Sequence, residues 1–412
     1  TQYEKINLLQ SVLFSPAAGH DLTFDWLIDD AFHVGYAALP MDVSRAKGRI
    51  YSLKYEPEKF MRLSDFKVRA YYNTVYHLMD DSQRDSLYLV QSSKTGKADS
   101  VYMRMDMPGW SRTGGAFAEA SVRWSERNLL SVKLESYRSR QKAEMTMFMN
   151  NLSNPGEPPM FAETWPEHRR QVTGVFLQND YVLSRKMVLA VDLRADYSSS
   201  KVLSELGKQQ FSSLGYDVDK PFHEFVHSAN FTVAYAPDRS WQAKAGIGRG
   251  QRLPTLSEQF GFYLFNAYDG YDYVGNPDVK TERSLSVFGN LSYTRTAFKL
   301  LVNARYNHIS DYILGLTVPG YEALNLYAAG TKRYENIPFA RTFTTHLQLF
   351  WKPLPALEFF NVLKYNRGET DGNGPLPLMP PLRNLFSVHF EKGNCRLQFE
   401  NEYSARQNRV HA

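Results

Sequence analysis

Cysteine is almost absent from this chain of 412 residues: Cys395 stands alone, which rules out an internal disulfide framework and any cysteine-cluster metal site. No stretch approaches the roughly 18 consecutive apolar residues of a membrane helix. That absence does not exclude the membrane, because a barrel strand needs only about ten residues of alternating character. Charge of one sign is scarce as well. Lys and Arg total 48 against 43 Asp and Glu, a net +5 with no basic block, so no nucleic-acid partner is expected. No leader with a charged, an apolar and a cleavable part opens the sequence, and TQYEKINLLQ is the start expected of a fragment.

What the chain has in quantity is aromatic residues, 26 Tyr and 26 Phe, which favour strands. Alternation of period two recurs along its whole length. In AFKLLVNARYN, Phe298, Leu300, Val302, Ala304 and Tyr306 share one face, while Lys299, Asn303, Arg305 and Asn307 share the other. MVLAVDLRADY and NCRLQFENEY repeat the pattern, the latter placing Cys395 on the apolar face. A densely charged second face suits a soluble sandwich and a barrel equally, so the connections decide. Short turns at 125–128, 183–186, 237–240, 294–297 and 352–355 alternate with long polar segments at about 141–167, 198–221, 251–281, 312–332 and 367–381. That rhythm belongs to a transmembrane antiparallel β-barrel with tight inner turns and extended outer loops. About sixteen strands are expected, with no domain boundary between them. A propeller or solenoid would show one repeated motif, and none is present.

RGQRLPTLSEQFGFYL at 249–264, GNPDVKTERS at 275–284, RYENIPFAR at 333–341 and PLPLMPPLRN at 375–384 resemble the TonB-dependent outer-membrane receptor family. Arg252, Pro254, Thr255, Leu256, Ser257 and Glu258 carry the first family string. Gly275, Asn276, Pro277, Asp278, Lys280 and Glu282 carry the second, with Thr281 in place of the usual proline. The resemblance implies a plugged barrel of about 22 strands in the outer membrane of a Gram-negative bacterium, contacting outer-membrane lipid. It further implies energising by a TonB–ExbB–ExbD complex through the plug. No plug or TonB-contacting box is visible, so residues 1–412 are expected to form a partial barrel domain with the plug absent.

Chemistry-bearing residues concentrate in the first half. A strand places residues i and i+2 on one side, so in DFKVRAYYNTVYHLM the polar face of Lys67, Arg69 and Asn73 ends in His77 and Met79. The register of Lys133 and Glu135 brings Met145, Met147 and Met149 to the same side, and that of Glu119 and Ser121 brings Met103, Met105 and Met107. Pro108-Gly109 is a point where that register could break, and any β-bulge would invert it. His168 falls on the inner face by the same count. Methionine commonly does no more than fill irregular apolar gaps. Thioethers nonetheless favour Cu(I), and imidazole suits copper too. HVGYAALPMD at 33–42 followed by RAYYNTVYHLMDD at 69–81 resembles the copper-receptor branch of the family, on Asn73, His77 and Met79. The resemblance implies His77 and Met79 as barrel-side ligands for a transported copper ion, joined by ligands from the plug. The two methionine clusters are the weaker candidates, collecting metal at the mouth.

Other motifs carry nothing. GIGRG at 246–250 ends a strand with no helix after it, so it is no phosphate loop. No serine-histidine-acid set has a supporting context; neither catalysis nor a catalytic cofactor is expected. Trp110, Trp124, Trp165, Trp241 and Trp351 read as interfacial girdle. The functions left open are copper import, import of an iron-siderophore, haem or other chelate, and a non-transporting binding or adhesion barrel.

Overall fold

The computed structural model describes residues 3–409 except 37–38, 40, 85–86, 92–97, 152–157, 326–327 and 373; for 87–91, 98–103 and 149–151 the backbone alone is described. The first half runs β1 (Glu4–Ala17), β2 (His20–Val34), β3 (Asp42–Pro57), β4 (Asp65–Asp80), β5 (Leu87–Gln91), β6 (Ala98–Ser125), β7 (Asn128–Asn151), β8 (Met160–Ser184) and β9 (Met187–Val202). After helix α1 (Glu205–Ser213) come β10 (Phe222–Tyr235), β11 (Trp241–Arg252), helix α2 (Leu256–Phe260), β12 (Leu264–Asn266) and β13 (Tyr271–Val274). The rest is β14 (Glu282–Arg295), β15 (Phe298–Thr317), β16 (Thr331–Leu354), β17 (Leu357–Thr370), β18 (Arg383–Lys392) and β19 (Cys395–Ser404).

Setting aside the short β5, β12 and β13 leaves sixteen strands in one wall, each antiparallel to the next. β5 pairs with the outer end of β6, and β13 runs parallel to the outer end of β16. Among the described residues no helix is long and apolar enough to cross a membrane, which says nothing against crossing by strands.

The two faces of the wall differ in chemistry. On one, Lys67 meets Glu119, Arg69 meets Asp25, and Arg194 joins Asp196 and Glu135. On the other, Leu134, Leu177, Leu193 and Phe225 stand exposed. So large an apolar surface left uncovered is stable only against hydrocarbon, so the charged face is the lumen.

The outer ends depart from the sequence expectation in an instructive way. The segment 141–167, read as a polar loop, is largely strand: β7 continues to Asn151 and β8 begins at Met160. Backbone pairing needs no lipid, only a neighbour, and β6, β7 and β8 supply one another with partners above the apolar band. In the segment 198–221, Ser204 caps α1 by accepting from the Gly207 N–H at 3.2 Å. Phe211 of that helix is buried with Val202, Val218 and Phe260.

Candidate metal-binding site

The lumen-facing register of β4 carries through to its outer end. Lys67 pairs with Glu119, His77 with Gly109 and Met79 with Met107 in one ladder without a shift. Pro108 therefore does not break the register; it sits opposite Leu78 within the ladder. β7 continues the rows, with Met105 opposite Met147 and Met103 opposite Met149. Of Met103 and Met149 only the backbone lies among the described residues.

β8 joins through two register shifts, one between Gln141 and Ala143 and one between Ala143 and Met145. Each inserts one extra residue into β8, around Pro166 and around Thr164. Two single-residue bulges restore the original face, so Met160 arrives opposite Met147 and Ala162 opposite Met145.

The result is a stack of rows across the lumen wall. Outermost lie Met105, Met147 and Met160; below them Met79, Met107 and Met145; below those His77. Successive rows are about 6.7 Å apart along the strand. Met41, Met105, Met145 and Met147 are buried together, and Met79, Met107, Met160 and Leu324 pack around them. Seven of the chain's 12 methionines thus form one cluster. Volume alone does not call for this, because leucine and methionine exchange in cores at little cost.

Neighbouring groups fix the cluster. Gly109 leaves room for the imidazole of His77: a Cβ there would stand 2.5 Å from Cε1. Met41 comes from the connection between β2 and β3, which Arg84 clamps. The guanidinium of Arg84 donates to both oxygens of Asp42, at 2.8 and 2.5 Å, and to the carbonyls of Leu39 and Tyr36. Asp81 accepts from the Met105 N–H at 3.1 Å, and its second oxygen has no partner among the described residues. Burial holds this carboxyl above its ordinary range.

His77 and Met79 are therefore brought together with Met105, Met107, Met145 and Met147. Met41 and Met160 belong to the cluster but were not among the expected ligands. Met41 had a signal in the ALPMD string; Met160 needed the two β8 bulges to reach it. His168 does face inward as expected, yet it is a packing group, its ring tilted by 36° against Phe260 at 5.0 Å between centroids. Cys395, on the wall's last turn, is exposed and far along the chain from this cluster. Among the described residues no three His, Cys, Asp or Glu side chains gather as a metal cage. The donors present are thioethers with one imidazole, a soft set.

The strings 252–258 and 275–282 play a structural part. Thr255 and Glu258 form a capping box on α2. Arg252 bridges Glu258 at 2.8 Å and Glu282 at 2.7 Å. Arg170 of β8 reaches the Pro254 carbonyl and Gln259, and the Asn276 N–H donates to the Glu258 carbonyl. Gly275 has no room for a side chain, since a Cβ would stand 2.7 Å from the Gln259 carbonyl. Together they lock the large outer loop onto the wall.

A one-layer antiparallel wall, apolar outside and charged inside, with locked outer loops, is the architecture of an outer-membrane β-barrel. The family model described as TonB dependent receptor-like, beta-barrel, matches residues 9–409, and the chain belongs to that family. Receptors of this family are transporters and not enzymes. Among solved structures, the copper transporter OprC is 19% identical with a TM-score of 0.79, covering 100% of this chain and 60% of that one. The siderophore receptor PirA from Acinetobacter baumannii is 13% identical, with a TM-score of 0.67 over 100% of this chain and 60% of that one. A double mutant of the Serratia marcescens hemophore receptor HasR, in complex with HasA and heme, is 15% identical, with a TM-score of 0.65 over 97% of this chain and 63% of that one. At such identities the likeness shows the fold alone. The chain spans about three fifths of the length of these structures. No curated protein sequence matches it.

Proposed function

We propose that this chain is the barrel wall of an outer-membrane active importer of copper. The observation that supports this most is the single cluster of seven methionines stacked above His77 on the lumen side. Thioethers are neutral, soft donors that suit Cu(I) and need lose no proton to bind it. An ion would enter among Met105, Met147 and Met160 and exchange to Met79, Met107 and Met145. It would then be held by Met79 and the imidazole of His77. Each row lies two residues, about 6.7 Å, from the next, so ligand exchange can replace free diffusion. Inward release then falls to a plug outside this chain, moved by a TonB–ExbB–ExbD complex. The fold resemblance to OprC is consistent with this cargo.

The test is copper content of the purified full-length protein with and without His77→Ala and Met79→Ala. Copper retained by the native protein and lost from the double variant supports the reading. Equal content in both would end it.

A second reading, import of an organic chelate such as an iron-siderophore or haem, has an observation of its own. A cavity of about 580 Å³ opens near the outer loops, lined in part by Tyr268, Tyr273, Tyr334, Lys332 and Arg409. Aromatic rings and cations suit a bulky anionic chelate. Chelate uptake undiminished by replacement of His77 and Met79 would favour this reading over copper.

A further inference from the structure

The outside of the wall carries a feature that cargo binding does not use. Arg112 of β6 lies directly opposite Arg140 of β7, Arg140 opposite Arg169 of β8, and Arg169 opposite Lys201 of β9. Arg138 stands two residues below Arg140 on the same face. No register shift separates these positions from the exposed, lipid-side Leu134, Leu177 and Leu193, so all five cations point away from the lumen.

Like charges directly opposite across strands repel, and here four follow one another across four adjacent strands. Carboxylates relieve little of this. Glu167 pairs with Arg140 at 2.6 Å, and among the described residues Arg138 has the amide of Gln171, at 3.0 Å, and no carboxylate. Arg112, Arg169 and Lys201 have no ion pair among the described residues. A groove of about 310 Å³ runs beside the row, between Trp110, Arg112, Arg140 and Lys142; Glu144 and Glu167 also line it.

The height of the row identifies what faces it. On β6 the outward residues from Trp124 to Gly114 are apolar or small. With strands tilted by about 40° that stretch spans roughly 26 Å, the thickness of a barrel's apolar band. Arg112 is the next outward residue, so the row lies at the outer boundary of the hydrocarbon, where headgroups begin. Arginine forks match phosphate oxygens in pairs.

We infer that Arg112, Arg138, Arg169 and Lys201 form a binding site on the barrel's outer surface for the phosphate groups of an outer-leaflet lipid. Trp110 beside the groove offers a ring at the same boundary. The ligand is the lipid headgroup and not free phosphate, because the acyl chains of a bound lipid would lie along the apolar band directly below.

The experiment uses purified full-length protein in a phosphate-free neutral detergent, with native mass spectrometry counting bound bisphosphorylated lipid A. Folding of every variant is checked by heat-modifiable migration on gels. The doubly substituted R112Q/R169Q protein is expected to hold the lipid at least tenfold less tightly. K186Q/R239Q, altered in exposed turns at the other end of the wall, is expected to match the native protein. Native protein should discriminate against lipid A stripped of both phosphates, and equimolar inorganic phosphate should not displace the intact lipid. Unchanged binding by R112Q/R169Q overturns the site, as does equal binding of the phosphate-free lipid. Displacement by inorganic phosphate at the lipid's own concentration overturns the assignment to a lipid.

Discussion

The ring of His77 occupies the space that a side chain at position 109 would need: a Cβ on Gly109 would stand 2.5 Å from Cε1 and 3.0 Å from Nε2. The two residues face each other across β4 and β6, and a Cβ does not approach a non-bonded ring carbon so closely. Gly109→Ala must therefore move the imidazole while leaving both strands paired. The expected outcome is a folded barrel by heat-modifiable migration with copper affinity lowered about tenfold or more. Unaltered affinity would mean that His77 does not hold the ion.

Packing and ligation by the methionines can be separated. Methionine to leucine in a packed cluster typically costs less than about 1.5 kcal/mol, but it removes the sulfur. Met105→Leu with Met147→Leu should leave denaturant stability nearly unchanged and reduce the copper bound per chain. If stability falls and copper does not, these side chains are core and nothing more.

The connection that carries Met41 to the cluster is held by Arg84 through Asp42, Leu39 and Tyr36. Arg84 acts through that connection and is a positioning residue. Arg84→Ala is expected to speed amide exchange at Leu39 and at 41–44 and weaken copper binding severalfold, with restoration in part by Arg84→Lys. A merely structural role would raise exchange and leave the metal affinity as it was.

His168 makes the packing at the outer loop sensitive to acid. Burial, with the charge of Arg170 nearby, pushes its imidazole down from 6.5 to about 3. An opened loop would bind the proton that the closed one excludes. The stability due to this packing is therefore complete above the ordinary value and drains away as pH falls from about 6.5 towards about 3. Amides at 160–170 and 256–262 should lose protection between pH 7.5 and 4.5, after correction for intrinsic exchange. His168→Leu should abolish that dependence, and equal protection at both pH values in the native protein would refute it.

Much of this is legible in the residues themselves. Alternation with charged lumen positions such as Lys67, Lys133 and Asp192 marks the wall, and the short-long rhythm of connections marks its two ends. The inward aim of His77, Met79, Met105 and Met147 follows from counting by twos, because β4, β6 and β7 contain no bulge where it matters. What escaped has physical causes. The strands outlast the membrane, so hydropathy misplaces the start of the 141–167 loop. Two bulges in β8 redirect Met160, and no local residue pattern announces both. Met41 joins through a side-chain clamp from Arg84, forty-three positions later, a relationship that only the fold creates.

X-ray absorption at the copper edge of the Cu(I)-loaded, full-length protein tests the central claim most directly, because it reports the atoms around the metal. The expected spectrum shows sulfur as the principal neighbour, with an imidazole contribution that disappears in His77→Ala and a sulfur shell that shrinks in Met79→Leu. A shell of nitrogen and oxygen only, unchanged by either substitution, would contradict it.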